Sequence, residues 1–249
     1  MGTRPEVIKL APVIGELNLR SADFDQTVVA TAQHREMLDQ VLDVFAIEPD
    51  IDLDLMQQNQ GLAGFASRAL TELAALLPTL NPDVVLIQGD TTTVMAAALA
   101  SFYAGIKVGH VEAGLRSFDR ANPFPEEINR RVTGILADYH FAPTERARGN
   151  LLREGATPES IFVTGNTVVD ALESISLDDD FEQPRLAHAG SNGNRWLLVT
   201  AHRRENHGEP LTSICLALKQ ITHQFSDVEV IYPVHLNPQV SSVVHRELA

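Results

Sequence analysis

Short apolar runs alternate with amphipathic stretches at steady intervals along the chain. VVLIQ (84–88) follows an Asn81-Pro82-Asp83 turn and shows no polar alternation, as expected of a strand buried on both faces. QTVVA (26–30), KVGHV (107–111), YHFA (139–142) and IFVT (161–164) read as further strands. Between them lie helical patterns. A first helix runs from Pro5, and another over 35–45 has Met37, Leu38, Val41, Leu42 and Phe45 at helical spacing. Others span 62–77, stopping near Pro78, an Ala-rich 92–103, 126–137, 144–153 and 168–175. Repetition of strand, loop and helix predicts an α/β fold with a parallel sheet covered by helices. In such sheets ligands bind beyond the carboxyl ends of the strands, so the residues just after each strand carry the interest.

The pattern lapses over 176–194, where Asp178-Asp179-Asp180, Gln183-Pro184 and Gly190-Ser191-Asn192-Gly193-Asn194 read as a linker. It restarts with WLLVT (196–200), a helix over 211–225 and VEVIY (228–232). The expected organisation is a first domain over 1–175, a linker over 176–194 and the start of a second domain over 195–249. A glycine turn precedes the first helix with no strand before it, and the second unit has two strands where a doubly wound half usually has more. The chain therefore reads as a fragment, with a first strand missing and the second domain truncated.

Charge narrows the partners. Nineteen Lys and Arg against 33 Asp and Glu give a net charge of −14, which disfavours duplex nucleic acid and a basic membrane-binding face. It leaves room for a small anion held by a helix N-terminus and a few arginines. No apolar run approaches the roughly 20 residues of a membrane span, and the opening residues do not read as a signal peptide. The single Cys215 lies in an apolar helical pattern and allows no intrachain disulfide, in keeping with a reducing, cytoplasmic setting. His34, His110, His140, His207 and His235 show no metal-ligand spacing, so no metal is assigned.

Each strand end offers candidates. Gly2-Thr3-Arg4-Pro5-Glu6 lets a ligand approach the backbone and gives Arg4 a phosphate to fork onto, although an ordinary helix start reads the same way. Gly89-Asp90-Thr91-Thr92-Thr93 follows VVLIQ; Asp90 is either a helix cap or a catalytic carboxylate. Glu112 stands directly after KVGHV, a poor choice for packing. Glu126 and Glu127 open a helix, where acids are favoured in any case. Asp90, Glu112 and Glu126 share one sheet edge, which suits removal and return of a proton. In the second unit, Ala201-His202-Arg203-Arg204-Glu205-Asn206 puts a histidine and two arginines at a strand end, as a diphosphate requires.

Nine segments in order resemble the non-hydrolysing UDP-N-acetylglucosamine 2-epimerase family: GTRPEVIKLAPVI, TAQHREMLDQVLDVF, LIQGDTTTVMAAALASFY, VGHVEAGLRS, PFPEEINRR, FAPTERARGNLLREG, VTGNTVVDAL, VTAHRREN and YPVHLNP. They run from residue 2 to about 238, and only the stretch around 176–194 diverges freely. The resemblance implies two Rossmann-like domains meeting at a cleft, as in GT-B glycosyltransferases, and the interconversion of UDP-GlcNAc and UDP-ManNAc. The implied mechanism eliminates UDP to 2-acetamidoglucal and adds it back, with no cofactor. By the match Asp90, Glu112, Glu126 and His202 are catalytic, and Arg4, Lys9 and Arg130 bind substrate. Gln33, His34, Arg68 and His235 fall in segments matching an allosteric UDP-GlcNAc pocket of bacterial members. A homodimer is implied for the full-length protein. The family's uridine-pocket segment lies beyond Ala249.

Two other classes compete: a hydrolysing epimerase or GT-B glycosyltransferase that releases UDP, and a non-catalytic nucleotide-sugar-binding fragment. The complete carboxylate set favours the non-hydrolysing enzyme.

Overall fold

The four apolar runs following residue 83 pair side by side, but the burial on both faces expected of VVLIQ is only partial: Ile87 and Gln88 are buried while Val84 and Leu86 are exposed, as are Phe162 and Val163 in the last run. Strands β3 (Val84–Gln88), β4 (Lys107–Val111), β5 (Tyr139–Ala142) and β6 (Ile161–Val163) form one parallel sheet in the order β3-β4-β5-β6. A second parallel pair joins β1 (Val29–Ala30) to β2 (Ile51–Asp52). The computed structural model describes residues 1–33, 35–57, 61–175, 193–203, 206–235 and 237–248. It divides into the units Met1–Ser176 and Leu177–Ala249.

In the first unit the helices are α1 (Arg4–Leu19), α2 (Arg35–Val44), α3 (Leu62–Leu80), α4 (Thr92–Ala104), α5 (Glu126–Leu136), α6 (Glu145–Arg153) and α7 (Val168–Ser174). The largest core cluster packs Leu73 and Leu77 of α3 and Val94, Ala97, Ala98 and Ala100 of α4 onto Ile87 and Val108 of the sheet. Alanines on α4 have no side chain beyond Cβ, so α3 and the sheet approach it from different sides; a leucine buried there contributes about 1.5–3 kcal/mol by leaving water. Two local signals fix the ends of α4. Thr91 caps its first turn by accepting the Val94 amide at 3.3 Å, and Gly105 ends it at φ +70°.

The second unit holds β7 (Arg195–Leu198) paired in parallel with β8 (Val228–Ile231), plus α8 (Glu209–Gln224) and α9 (Pro238–Leu248). Leu211 and Cys215 of α8 pack against Val240, Val243 and Val244 of α9. Cys215 is thus a buried small hydrophobe, and burial raises its thiol pKa. Among the described residues no helix is long and apolar enough to cross a membrane.

Several boundaries differ from the sequence expectation. Pro78 does not stop α3, which runs to Leu80 and ends where Asn81 turns left-handed at φ +46°. Proline removes one amide donor near a helix end, and the Asn81 amide still reaches the Leu77 carbonyl at 2.9 Å. The strand expected over 26–30 shrinks to Val29–Ala30; the Val28 amide is taken by the Asp50 carboxylate at 2.6 Å, and the Gln26 side chain turns to α1 at Ile14 and Asn18. WLLVT forms a strand from Arg195 only to Leu198, and β2 was not expected at all. The linker expected over 176–194 lies almost wholly outside the described residues.

Candidate active site

β3 ends in Gly89 at φ +84°, a left-handed turn that glycine makes at little cost. That turn presents Asp90 at the carboxyl edge of the sheet and lets α4 begin at once. Three contacts fix the turn. His110, 1% exposed, meets the Gly89 carbonyl through Nε2 at 2.7 Å. Asn129 donates its side-chain amide to the Asp90 carbonyl at 2.9 Å. Arg130 forks onto the Asp90 carboxylate, with Nε at 2.9 Å and Nη2 at 2.6 Å. Burial above all holds the His110 imidazole down at about 4, so the ring is neutral near pH 7. With its Nε2 proton given to a carbonyl, its Nδ1 is an acceptor without a partner; His140 Nδ1 and the Thr133 hydroxyl are also buried without one among the described residues.

The neighbouring strand delivers Glu112. Its backbone is left-handed at φ +66°, unusual for a residue with a side chain and a form of strain that concentrates at functional sites. Lys9 Nζ lies 2.6 Å from both Glu112 oxygens; Gln88 donates to Oε2 at 2.7 Å and Asn166 to Oε1 at 2.6 Å. The Glu112 side chain is 11% exposed. A Cβ on Gly89 would stand 3.9 Å from Glu112 Oε2, so the Asp90 turn and Glu112 abut.

Glu126 and Glu127 part company. Glu126 is half-buried and has no hydrogen-bond partner among the described residues. Glu127 is 1% exposed and accepts the Ser117 and Phe118 amides at 2.9 and 3.1 Å. Burial pushes the Glu127 carboxyl up, but those amides, the Ser117 hydroxyl and the Arg116 charge outweigh it and leave it below the usual range. Glu127 therefore holds the loop that leads to Glu126.

Arg4 is exposed at the start of α1 and makes no hydrogen bond among the described residues. Gln33 accepts from the amide and hydroxyl of Thr93 at 3.3 and 2.9 Å. Arg68 donates to the Leu55 carbonyl at 3.2 Å. His34 lies outside the described residues. In the second unit the rings of His202 and His235 stack, with centroids 5.2 Å apart and planes at 18°. His202 is exposed, with Nδ1 3.3 Å from the Thr200 hydroxyl. The Asn237 amide donates to His235 Nδ1 at 3.0 Å, leaving Nε2 as the nitrogen available to a ligand.

The structure thus brings Asp90, Glu112, Lys9 and Arg130 to one sheet edge in the first unit and pairs His202 with His235 in the second. Lys9 and Arg130, expected to face substrate, are engaged by the carboxylates. Sequence reading gave no site role to Gln88, Asn166 or His110, and it named Glu127 only as an acid opening a helix. Asn166 and Gln88 lie at strand ends, where the strand-end rule pointed; His110 carries no local signal.

A family model described as UDP-N-acetylglucosamine 2-epimerase matches residues 17–249. A Bacillus subtilis protein named UDP-N-acetylglucosamine 2-epimerase is 51% identical over 245 residues, covering 98% of this chain and 63% of that protein. One of the same name from Salmonella typhimurium is 53% identical over 253 residues, covering 99% and 67%. A crystal structure of UDP-GlcNAc 2-epimerase from Neisseria meningitidis, bound to UDP-GlcNAc, superposes with a TM-score of 0.90 at 43% identity over 99% of this chain and 68% of that one. This chain spans less than two thirds of the Bacillus subtilis protein it matches.

Proposed function

Since this chain belongs to the UDP-N-acetylglucosamine 2-epimerase family, we propose that the polypeptide carrying it interconverts UDP-GlcNAc and UDP-ManNAc without hydrolysing them. The observation that carries the reading is the carboxylate edge: Asp90 and Glu112 stand just past adjacent strands, with the Gly89 turn against Glu112, and each is gripped by its own cation. A lone structural ion pair needs neither a left-handed glutamate nor a second pair beside it.

The chemistry asks for such an edge. The C2 proton of the sugar is weakly acidic. Departure of UDP from C1 gives the ring oxocarbenium character and makes that proton easier to remove. Anti elimination breaks C1–O and C2–H and leaves 2-acetamidoglucal and UDP. Re-addition forms both bonds again, with the proton delivered to the opposite face of C2. No electrons are gained or lost overall, so the step needs no redox cofactor. Asp90, Glu112 and Glu126 take and return the proton, while Arg4 and His202 meet the diphosphate. Lys9 and Arg130 act by holding Glu112 and Asp90.

The finer reading of the fold belongs to the same proposal: Rossmann-like domains of the GT-B kind, one over 1–175 and a second from 195, joined by 176–194, in a homodimer. Gln33, His34, Arg68 and His235 remain the candidates for a second UDP-GlcNAc site. Incubation with UDP-GlcNAc and product identification by NMR tests the function. UDP-ManNAc supports it; free ManNAc with UDP indicates a hydrolysing enzyme, and binding without turnover a sensor.

A further inference from the structure

Glu6 is an acid in the first turn of α1, three residues after Thr3, and the spacing T-x-x-E is that of a capping box. The box does not form. Thr3 makes no side-chain cap hydrogen bond to α1; its hydroxyl instead donates to Glu6 Oε1 at 2.9 Å. The Gly2 amide donates to Glu6 Oε2 at 2.7 Å, and the Thr91 hydroxyl, 85 residues away, donates to Oε1 at 2.7 Å. Glu6 is 2% exposed, so its carboxyl lies out of water among three donors from two loops.

Those loops hold groups assigned to opposite ends of the chemistry. Arg4 lies between Thr3 and Glu6, and Asp90 immediately precedes Thr91. Thr91 uses its hydroxyl both ways, accepting from the Val94 amide while donating to Glu6. Gly2 itself is tightly enclosed: a Cβ there would come within 2.3 Å of Thr31 Oγ1, just past β1, and 2.4 Å of Thr93 Oγ1, in the first turn of α4. Glu6 and Lys9 are three residues apart and so share a face of α1. That one face reaches the Asp90 loop through Glu6 and Glu112 through Lys9.

We propose that Glu6 is a positioning residue for the epimerisation: its buried carboxyl locks the Arg4 loop to the Asp90 loop, fixing the anion-binding end of the site against the carboxylate edge. This rests on the function proposed above. A glutamine at this position has the same size, but its NH2 must face either the Gly2 amide, donor against donor, or the Thr3 and Thr91 hydroxyls, so the three donors cannot all be met as the carboxylate meets them and the cluster must shift. Catalytic geometry is sensitive to this, since a misplacement near 1 Å costs on the order of 10²-fold in rate.

The test measures kcat, KM and Tm in the encoded polypeptide that carries this sequence, at temperatures where every variant is folded. Glu6→Gln and Thr91→Val are each expected to lower kcat about 10- to 100-fold with KM changed less than about threefold. The double variant is expected to be no worse than the weaker single variant within about threefold, because both remove one link. Thr91→Ser, which keeps the hydroxyl, is expected to recover most of the rate lost in Thr91→Val. If the parent epimerises and both single variants stay within twofold of its kcat, or if their losses multiply in the double variant, Glu6 is not a positioning residue. If Glu6→Gln does not fold, the Thr91→Val and Thr91→Ser pair decides alone: equal kcat in the two overturns the proposal. A parent that makes no UDP-ManNAc overturns the proposed function itself, an outcome distinct from an active parent with indifferent variants.

Discussion

Lys9 meets Glu112 head-on, with its ammonium nitrogen 2.6 Å from both carboxylate oxygens across 103 residues of sequence. Both side chains are mostly shielded, at 21% and 11% exposure, so removing either one leaves the other's charge largely buried without its partner. On the proposal that Lys9 acts by holding Glu112, its charge serves the carboxylate and not a phosphate. Lys9→Met is therefore expected to lower kcat at least tenfold while changing UDP affinity less than about threefold, since it disturbs the carboxylate and not the diphosphate site. Steady-state kinetics with calorimetric UDP titration check this; lost UDP affinity at unchanged kcat would return Lys9 to the phosphate.

The carboxylates themselves set the largest expected losses. Asp90→Asn, Glu112→Gln and Glu126→Gln should each reduce turnover by about 10² or more, the usual size of a general acid–base contribution. Rates of UDP-ManNAc formation and of C2 proton exchange are the readouts. A variant that exchanges and epimerises at the parent rate removes its residue from the chemistry.

Much of this edge was legible in the sequence. VVLIQ and KVGHV are apolar runs bounded by turn residues, and the residues just past them, Asp90 and Glu112, stand where an α/β sheet exposes ligand-binding groups. Two-residue strands such as β2 carry no period to detect. The Glu112 partners Lys9, Gln88 and Asn166 converge from three distant segments, and only the fold brings them together. Glu126 and Glu127 are adjacent and chemically alike; which one turns inward depends on the Ser117 and Phe118 amides presented to it. The segment opening α1 read as an ordinary helix start; that the Glu6 carboxylate is shared by the Gly2 amide and the Thr3 and Thr91 hydroxyls depends on a residue 85 positions away.

His110 predicts a pH dependence of stability. Its folded pKa of about 4 lies below the ordinary 6.5, so between those values the unfolded chain binds a proton that the folded chain refuses. Stability from this group is full above pH 6.5 and falls as pH drops toward 4, by at most about 3 kcal/mol at 1.36 kcal/mol per pH unit. Denaturant titrations at pH 7 and pH 4.5 should show a smaller drop for His110→Gln than for the parent. Equal drops would mean that the imidazole is not held neutral beneath Gly89.

Arg4 and His202 are both exposed, one at a helix start and one past a strand end. Arg4→Ala and His202→Ala are each expected to weaken UDP binding about 10- to 100-fold, the worth of a charge-assisted contact to phosphate. Calorimetry with UDP measures it. Unchanged affinity in both would remove them from the diphosphate site.

The central claim is that the polypeptide removes and returns the C2 proton while UDP leaves and re-adds. Running the reaction in D2O and examining both nucleotide sugars by NMR and mass spectrometry tests it most directly. UDP-ManNAc carrying one deuterium at C2 is expected, with the same label building up in recovered UDP-GlcNAc. UDP-ManNAc formed without deuterium at C2, or free ManNAc and UDP in its place, would contradict it.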